Sequence, residues 1–92
     1  MTTAFILMNV DTGRLRSLAE ELLEIDGIAE VYSVAGEWDL VAIVRLREHE
    51  ALSDLITEHV ASLRGIRRTQ TLIAFRAFSK RDLGVMWDIG ID

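Results

Sequence analysis

The stretch Ile28-Ala29-Glu30-Val31-Tyr32-Ser33-Val34-Ala35-Gly36-Glu37-Trp38-Asp39-Leu40-Val41-Ala42-Ile43-Val44 holds the centre of the chain and decides its architecture. Two runs rich in β-branched and aromatic residues, about Ile28 to Ala35 and Leu40 to Arg47, flank the turn residues Gly36-Glu37-Trp38-Asp39. That is the pattern of a β-hairpin. Outward from it on both sides the apolar period lengthens from two residues to between three and four. Upstream, Leu15, Leu18, Ala19, Leu22 and Ile25 alternate with Arg14, Arg16, Glu20, Glu21 and Glu24, which predicts an amphipathic helix whose acidic side is a solvated face. Downstream, Leu52, Leu55, Ile56, Val60 and Leu63 predict a second helix over about Glu48 to Leu63. Each helix ends at a glycine, in Asp26-Gly27 and Arg64-Gly65, the residue that accepts the left-handed backbone at a helix terminus. Asp11 or Thr12 is placed to cap the start of the first. One more strand lies at each end, about Ala4 to Val10 and about Arg67 to Phe78.

The order is strand, helix, strand, strand, helix, strand, and its halves repeat. Adding 38 to a position carries Ala4 to Ala42, Leu18 to Ile56, Leu22 to Val60, Gly27 to Gly65, Ile28 to Ile66 and Ser33 to Thr71. A duplicated βαβ unit predicts an α+β fold, the ferredoxin-like βαββαβ sandwich: a four-stranded antiparallel sheet with two helices on one face. The predicted domain spans 3–78, followed by a C-terminal extension over 79–92.

In such a fold one sheet face lies open, and its strands should alternate apolar and polar. The first and third strands do not. Phe5 and Leu7 oppose Ala4, Ile6 and Met8, and Val41 and Ile43 oppose Leu40, Ala42 and Val44, so both faces are apolar. An apolar sheet face left in water is unusual, and a second copy of the chain is expected to cover it. The alternative cover is the tail itself, which offers Leu83, Val85, Met86, Trp87, Ile89 and Ile91.

Composition narrows the function. The chain has 92 residues, half of them apolar, with no cysteine, no proline and a net charge of −5. That length supports one domain, and the apolar half excludes intrinsic disorder. Without cysteine there is neither a disulfide framework nor a thiolate metal site, which suits a reducing cytoplasm. The longest apolar runs, Ala4 to Met8 and Leu40 to Val44, are far short of the roughly 20 residues of a membrane span. Met1-Thr2-Thr3 lacks the charged region of a signal peptide. An acidic chain is ill-suited to holding a polyanion directly, so no nucleic-acid contact is expected.

The inventory of catalytic groups is thin. His49 and His59 lie ten positions apart and cannot share a metal in one chain; His49 is expected in solvent and His59 partly buried at the flank of its helix. No glycine-rich phosphate loop or nucleophile elbow is present. Arg67, Arg68, Arg76, Lys80 and Arg81 make the second half locally basic, which offers an anion site but reads first as ordinary surface. The hairpin is the one notable cluster. Gly36 frees the backbone, Glu37 and Asp39 offer carboxylates to an ammonium group, and Trp38 at a solvent-facing turn marks a contact. For Glu37, simple capping of a strand end is an equal reading.

At this hairpin the chain resembles a known family. Val31-Tyr32-Ser33-Val34-Ala35-Gly36-Glu37-Trp38-Asp39-Leu40-Val41 is similar to the Val-x-x-x-x-Thr-Gly-Asp/Glu-Tyr/Phe-Asp-Leu pattern of the Lrp/AsnC regulators, the leucine- and asparagine-responsive transcription factors. Gly65-Ile66-Arg67-Arg68-Thr69-Gln70-Thr71-Leu72-Ile73 resembles the Gly-Val-x-x-Thr-x-Thr-x-Ile/Leu of their final strand. The resemblance covers 3 to about 78, the C-terminal effector or RAM domain of that family. It implies a non-enzymatic module that binds amino acids without cofactor or metal, dimerises through its sheet and assembles into octamers or similar rings. Effectors then bind between dimers, at Gly36, Glu37, Trp38 and Asp39, with Tyr32, Ser33, Thr69 and Thr71 on adjoining strands as further candidates. Backbone amides near Gly36 are expected to hold the effector carboxylate, and Asp39 its ammonium. The chain departs from the pattern at Trp38, for Tyr or Phe, and at Ala35, for Thr. It also opens directly on the first strand where the family carries a DNA-reading helix-turn-helix. The expectation is therefore a stand-alone effector domain, free to partner a full-length regulator. Two other readings stand beside it: a cofactor-independent enzyme on a dimeric ferredoxin-like scaffold, for which Asn9 and Trp38 are the only hints, and a ligand-free assembly module.

Overall fold

The computed structural model describes residues 1–80. Strand β1 (Thr2–Val10) leads through a 3-10 turn, Thr12–Arg14, into helix α1 (Leu15–Leu23). The hairpin strands are β2 (Ile28–Ser33) and β3 (Leu40–Leu46). Helix α2 (Glu50–Asp54) continues as a π-helical turn, Leu55–Val60, and β4 (Ile66–Ile73) follows. The strands form one antiparallel sheet in the order β2-β3-β1-β4. This is the expected ferredoxin-like sandwich.

The core lies where the alternation places it. Ala4, Ile6 and Met8 of β1 and Leu40, Ala42 and Val44 of β3 pair across the ladder and pack with Leu18, Leu22, Leu52, Leu55 and Val60 of the helices. Their strand neighbours Phe5, Leu7, Val41 and Ile43 point away from the helices and are only half-buried. Tyr32 and Leu72 pair into the same outer face and are exposed. The outer face is thus apolar and uncovered among the described residues. All but the first two residues of the 79–92 extension, and with them the tail residues weighed as a cover, lie outside the described residues.

Several boundaries differ from expectation, each for a physical reason. β4 stops at Ile73, not Phe78, because β1 is its only partner among the described residues: after Ala74 donates its N–H to the Thr3 carbonyl at 2.8 Å, little of β1 remains to pair with. β2 ends at Ser33, opposite Leu40, so Val34 and Ala35 join the loop; the Val34 N–H meets the Asp39 carbonyl at 3.0 Å. Asp11 makes no side-chain cap on the 3-10 turn, and its carboxylate lies 3.8 Å from Arg67 instead. His59, expected to be partly buried, is exposed. Leu55 and Val60 are the buried residues of the π-helical turn, and its i→i+5 bond from Ala61 N–H to Ile56 O (3.0 Å) returns Val60 to the core while His59 faces out.

Glu21 is not simply part of a solvated face. Arg14 grips it with both Nη atoms, at 3.0 and 3.1 Å, and also donates to the Arg64 carbonyl from Nε (3.1 Å) and Nη2 (2.9 Å). One side chain thereby ties α1 to the turn before β4. The hydrogen bond from Arg14 holds the Glu21 carboxyl below the ordinary carboxylate range, and the same bond raises Arg14. Gly65 sits at this junction with φ of 97°, and a Cβ there would lie 3.0 Å from Arg14 Cγ.

Candidate functional site

The site begins where a ladder runs out. β1 and β3 pair as far as Met8 opposite Leu40, and Asp39 adds one more rung by donating its N–H to the Met8 carbonyl at 2.9 Å. Beyond that the chain turns away into the hairpin loop. The Asp39 side chain then does what backbone no longer can: its Oδ2 accepts the Val10 N–H at 3.0 Å and the Asn9 Nδ2 at 3.3 Å. Asn9 Nδ2 also donates to the Glu37 carbonyl at 2.8 Å. The β2–β3 loop is thus latched over the end of β1.

On the other side of β1, pairing with β4 is irregular. Asn9 pairs with Arg68 and Val10 with Ile66, so Arg67 is the extra residue of a bulge. A bulge bends a strand and re-aims its side chains, a device common beside binding sites. Here Arg68 reaches across to the loop. Its Nη2 donates to Glu37 Oε2 at 3.0 Å, and its guanidinium lies 4.3 Å from the centre of the Trp38 ring. Trp38, expected in solvent, is half-buried because of this stack. Gly36, with φ of 119°, lets the loop turn, and no atom lies within 4 Å of where its Cβ would stand.

Asn9, Val10, Asp39, Arg67 and Arg68 line an open cavity of about 430 Å³. Both signs of charge meet there. Oδ2 of Asp39 takes both donors, which leaves Oδ1 unengaged among the described residues. Asn9 Oδ1 and the Nε and Nη1 of Arg68 are likewise unengaged among them. No group of three or more histidines, cysteines or carboxylates is arranged to hold a metal among the described residues, nor is any described helix long and apolar enough to cross a membrane.

The eight residues singled out from the sequence do not all meet in one chain. Gly36, Glu37, Trp38 and Asp39 form the loop just described. Ser33 and Thr69 share the helix-side face, on one rung with Leu40 and Met8, but stand on opposite edge strands. Three strand spacings separate them, about 14 Å. Thr71 lies on the same face as Thr69, and Tyr32 lies on the outer face. Asn9, Arg67 and Arg68 are the additions. Arg67 and Arg68 were visible as local basic charge, but nothing adjacent in sequence ties them to a loop some thirty residues away.

A polar cavity of both charges thus sits at one end of the sheet of a small α+β module, beside an apolar sheet face that is uncovered among the described residues. Residues 3–83 match the family model of the Lrp/AsnC ligand binding domain, and the chain belongs to that family. Its relatives are transcriptional regulators, not enzymes. An uncharacterised HTH-type regulator of Pyrococcus horikoshii is 38% identical over 77 residues, which cover 80% of this chain and 51% of the relative. The chain spans about half the length of the curated relatives it matches. A crystallised protein of Thermus thermophilus is 48% identical, with a TM-score of 0.81 over 87% of this chain and 100% of that one. A feast or famine regulatory protein of M. tuberculosis, solved in complex with L-methionine, is 28% identical, with a TM-score of 0.71 over 88% of this chain and 55% of that one.

Proposed function

We propose that this chain is an amino-acid-binding, oligomerising regulatory domain that works in the cytoplasm and modulates the transcription of amino-acid metabolism. The observation that carries this reading is the cavity at the hairpin, where arginines offer charge to a carboxylate and Asp39 and Asn9 offer oxygens to an ammonium group. An amino acid presents that pair of charges at neutral pH. Its family and the L-methionine held by the M. tuberculosis relative support the same ligand class.

In this reading residues 3–78 form the working domain and 79–92 an extension. Copies pair through the outer sheet face of Phe5, Leu7, Val41 and Ile43, and dimers join into an octamer or similar ring. Asp39 lines the cavity, and Gly36, Glu37 and Trp38 complete the effector site beside it. Because Tyr32 and Ser33 stand at the opposite sheet edge from Thr69 and Thr71, these two pairs reach one ligand only where a neighbouring copy brings its edge alongside. A full-length Lrp/AsnC regulator is the natural partner for mixed assembly, and the net charge of −5 disfavours direct contact with DNA. Ligand bound at such a junction shifts assembly only to the extent that it prefers one assembled state.

The test is a thermal-shift screen of the twenty amino acids at millimolar concentration, with oligomer mass measured by light scattering. At least one amino acid should raise the melting temperature or change the mass. Silence across all twenty would count decisively against the reading. A ligand-free assembly module is the second reading, favoured by the Asp39 carboxylate already being held by Val10 and Asn9; it predicts assembly with no amino-acid response at all.

A further inference from the structure

We infer that Arg68 takes the carboxylate of the bound amino acid, and that Glu37 occupies this arginine in the ligand-free protein as an internal competitor. The inference rests on the amino-acid-binding reading above and specifies how that site is kept closed.

Arg68 is the better-organised of the two arginines at the cavity. Arg67 is largely exposed and, among the described residues, pairs only with Asp11, at 3.8 Å. Arg68 lies over the Trp38 ring, its Cζ 4.3 Å from the ring centre, so its N–H fork is restrained by that contact before any ligand arrives. A fork restrained in advance loses less freedom on binding, which favours a planar, bidentate anion such as a carboxylate. In the structure the group on that fork is itself a carboxylate, Glu37 Oε2 at 3.0 Å from Nη2. Ligand carboxylate and Glu37 therefore compete by the same chemistry for the same charge.

The loop is built so that the side chain can leave while the backbone stays. Asn9 Nδ2 holds the Glu37 carbonyl at 2.8 Å, and the Asp39 N–H holds the Met8 carbonyl at 2.9 Å. The Glu37 side chain is 71% exposed, and its Arg68 pair is its only contact of this kind among the described residues. The neighbouring Gly36 has open space around it. Exchange of one carboxylate for another makes the device specific: an amino acid whose carboxyl is capped as an amide lacks the group that displaces Glu37.

The test is calorimetric titration of the full chain, of Glu37→Gln and of Arg68→Gln with each of the twenty amino acids, and with the carboxamide of whichever binds best. Glu37→Gln should bind the same amino acid about two- to fivefold more tightly, the range an exposed ion pair commands. Arg68→Gln should bind it at least about tenfold more weakly, as expected for a lost charge-assisted contact. The carboxamide should bind the full chain weakly and be indifferent to Glu37→Gln. Arg68→Lys, which keeps the charge without the planar fork, replaces Arg68→Gln if circular dichroism shows that variant to be misfolded, and should also weaken binding. An amino acid that binds the full chain and both variants alike would overturn the inference and leave the ligand class standing. No binding by any amino acid to any of the three would overturn both.

Discussion

Replacing Asp39 by alanine tests the latch at the centre of the site. Asp39→Ala removes the acceptor of the Val10 N–H, which lies at the end of the β1–β3 ladder on a residue only 6% exposed. The Asn9 amide loses its longer bond of 3.3 Å but keeps the Glu37 carbonyl, so Val10 dominates the cost. A buried donor left without a partner costs about 1–3 kcal/mol. For a domain of this size each kcal/mol moves the melting temperature by roughly 4–8 °C, so the midpoint should fall by about 4–24 °C. Asp39→Asn keeps the shape and one acceptor oxygen but not the charge. Charge-assisted hydrogen bonds are about twice as strong as neutral ones, so about half the loss should return. Thermal unfolding followed by far-ultraviolet circular dichroism reads both, at one fixed protein concentration because association itself adds stability. An Asp39→Ala midpoint within about 2 °C of the parent would refute the latch. Asp39→Asn also separates latch from ligand: it should fold yet lose most of the amino-acid response, and a full response would show that Asp39 holds the loop but not the ammonium.

Three further outcomes follow from the same geometry. Gly36→Ala meets no atom within 4 Å, so only the left-handed backbone resists it, at about 1–2 kcal/mol; Gly65→Ala also drives a methyl to 3.0 Å from an Arg14 side chain anchored on Glu21 and Arg64. Denaturant titration should therefore rank Gly65→Ala as the less stable of the two, and the reverse order would contradict the packing described. Leu7→Lys places a charge in the middle of the outer sheet face and should reduce the mass seen by light scattering to that of one chain, with the circular dichroism spectrum kept; an unchanged mass would move the interface elsewhere. Glu21 has its pKa lowered in the fold, so its contribution to stability is complete above the ordinary carboxylate range and is lost as pH falls through its folded value. The gap in melting temperature between the parent and Glu21→Gln should accordingly narrow as the pH falls from neutral through that folded value, and a gap that stays constant would dismiss the Arg14 pair as a stabilising contact.

Much of the fold was legible because its signals are local. The switch from two-residue to helical periodicity on either side of the hairpin, and the repeat that carries Gly27 to Gly65 and Ile28 to Ile66, placed every element in order. Those glycines do adopt positive φ, 101° and 97°, and those isoleucines do open β2 and β4. The doubled apolar pattern of Phe5 to Met8 and Val41 to Val44 likewise anticipated two apolar sheet faces. Strand ends were less legible. The stop of β4 at Ile73 depends on where its partner β1 begins, and the outward turn of His59 depends on a π-helical turn that brings Val60 back to the core.

The candidate site divides along the same line. Its loop, Gly36 to Asp39, is contiguous and carries a turn glycine, an aromatic ring and two carboxylates, so composition alone marks it. The partners that give the loop its chemistry come from β1 and β4, some thirty residues away along the chain in either direction. Asn9 and Val10 meet Asp39 because the β1–β3 ladder ends at Met8, and Arg68 meets Glu37 and Trp38 because a bulge at Arg67 re-aims it across the end of β1. Periodicity records which way a side chain faces within its own element. It holds no record of which distant strand end that side chain will find, since strand pairing and register arise only when the sheet assembles.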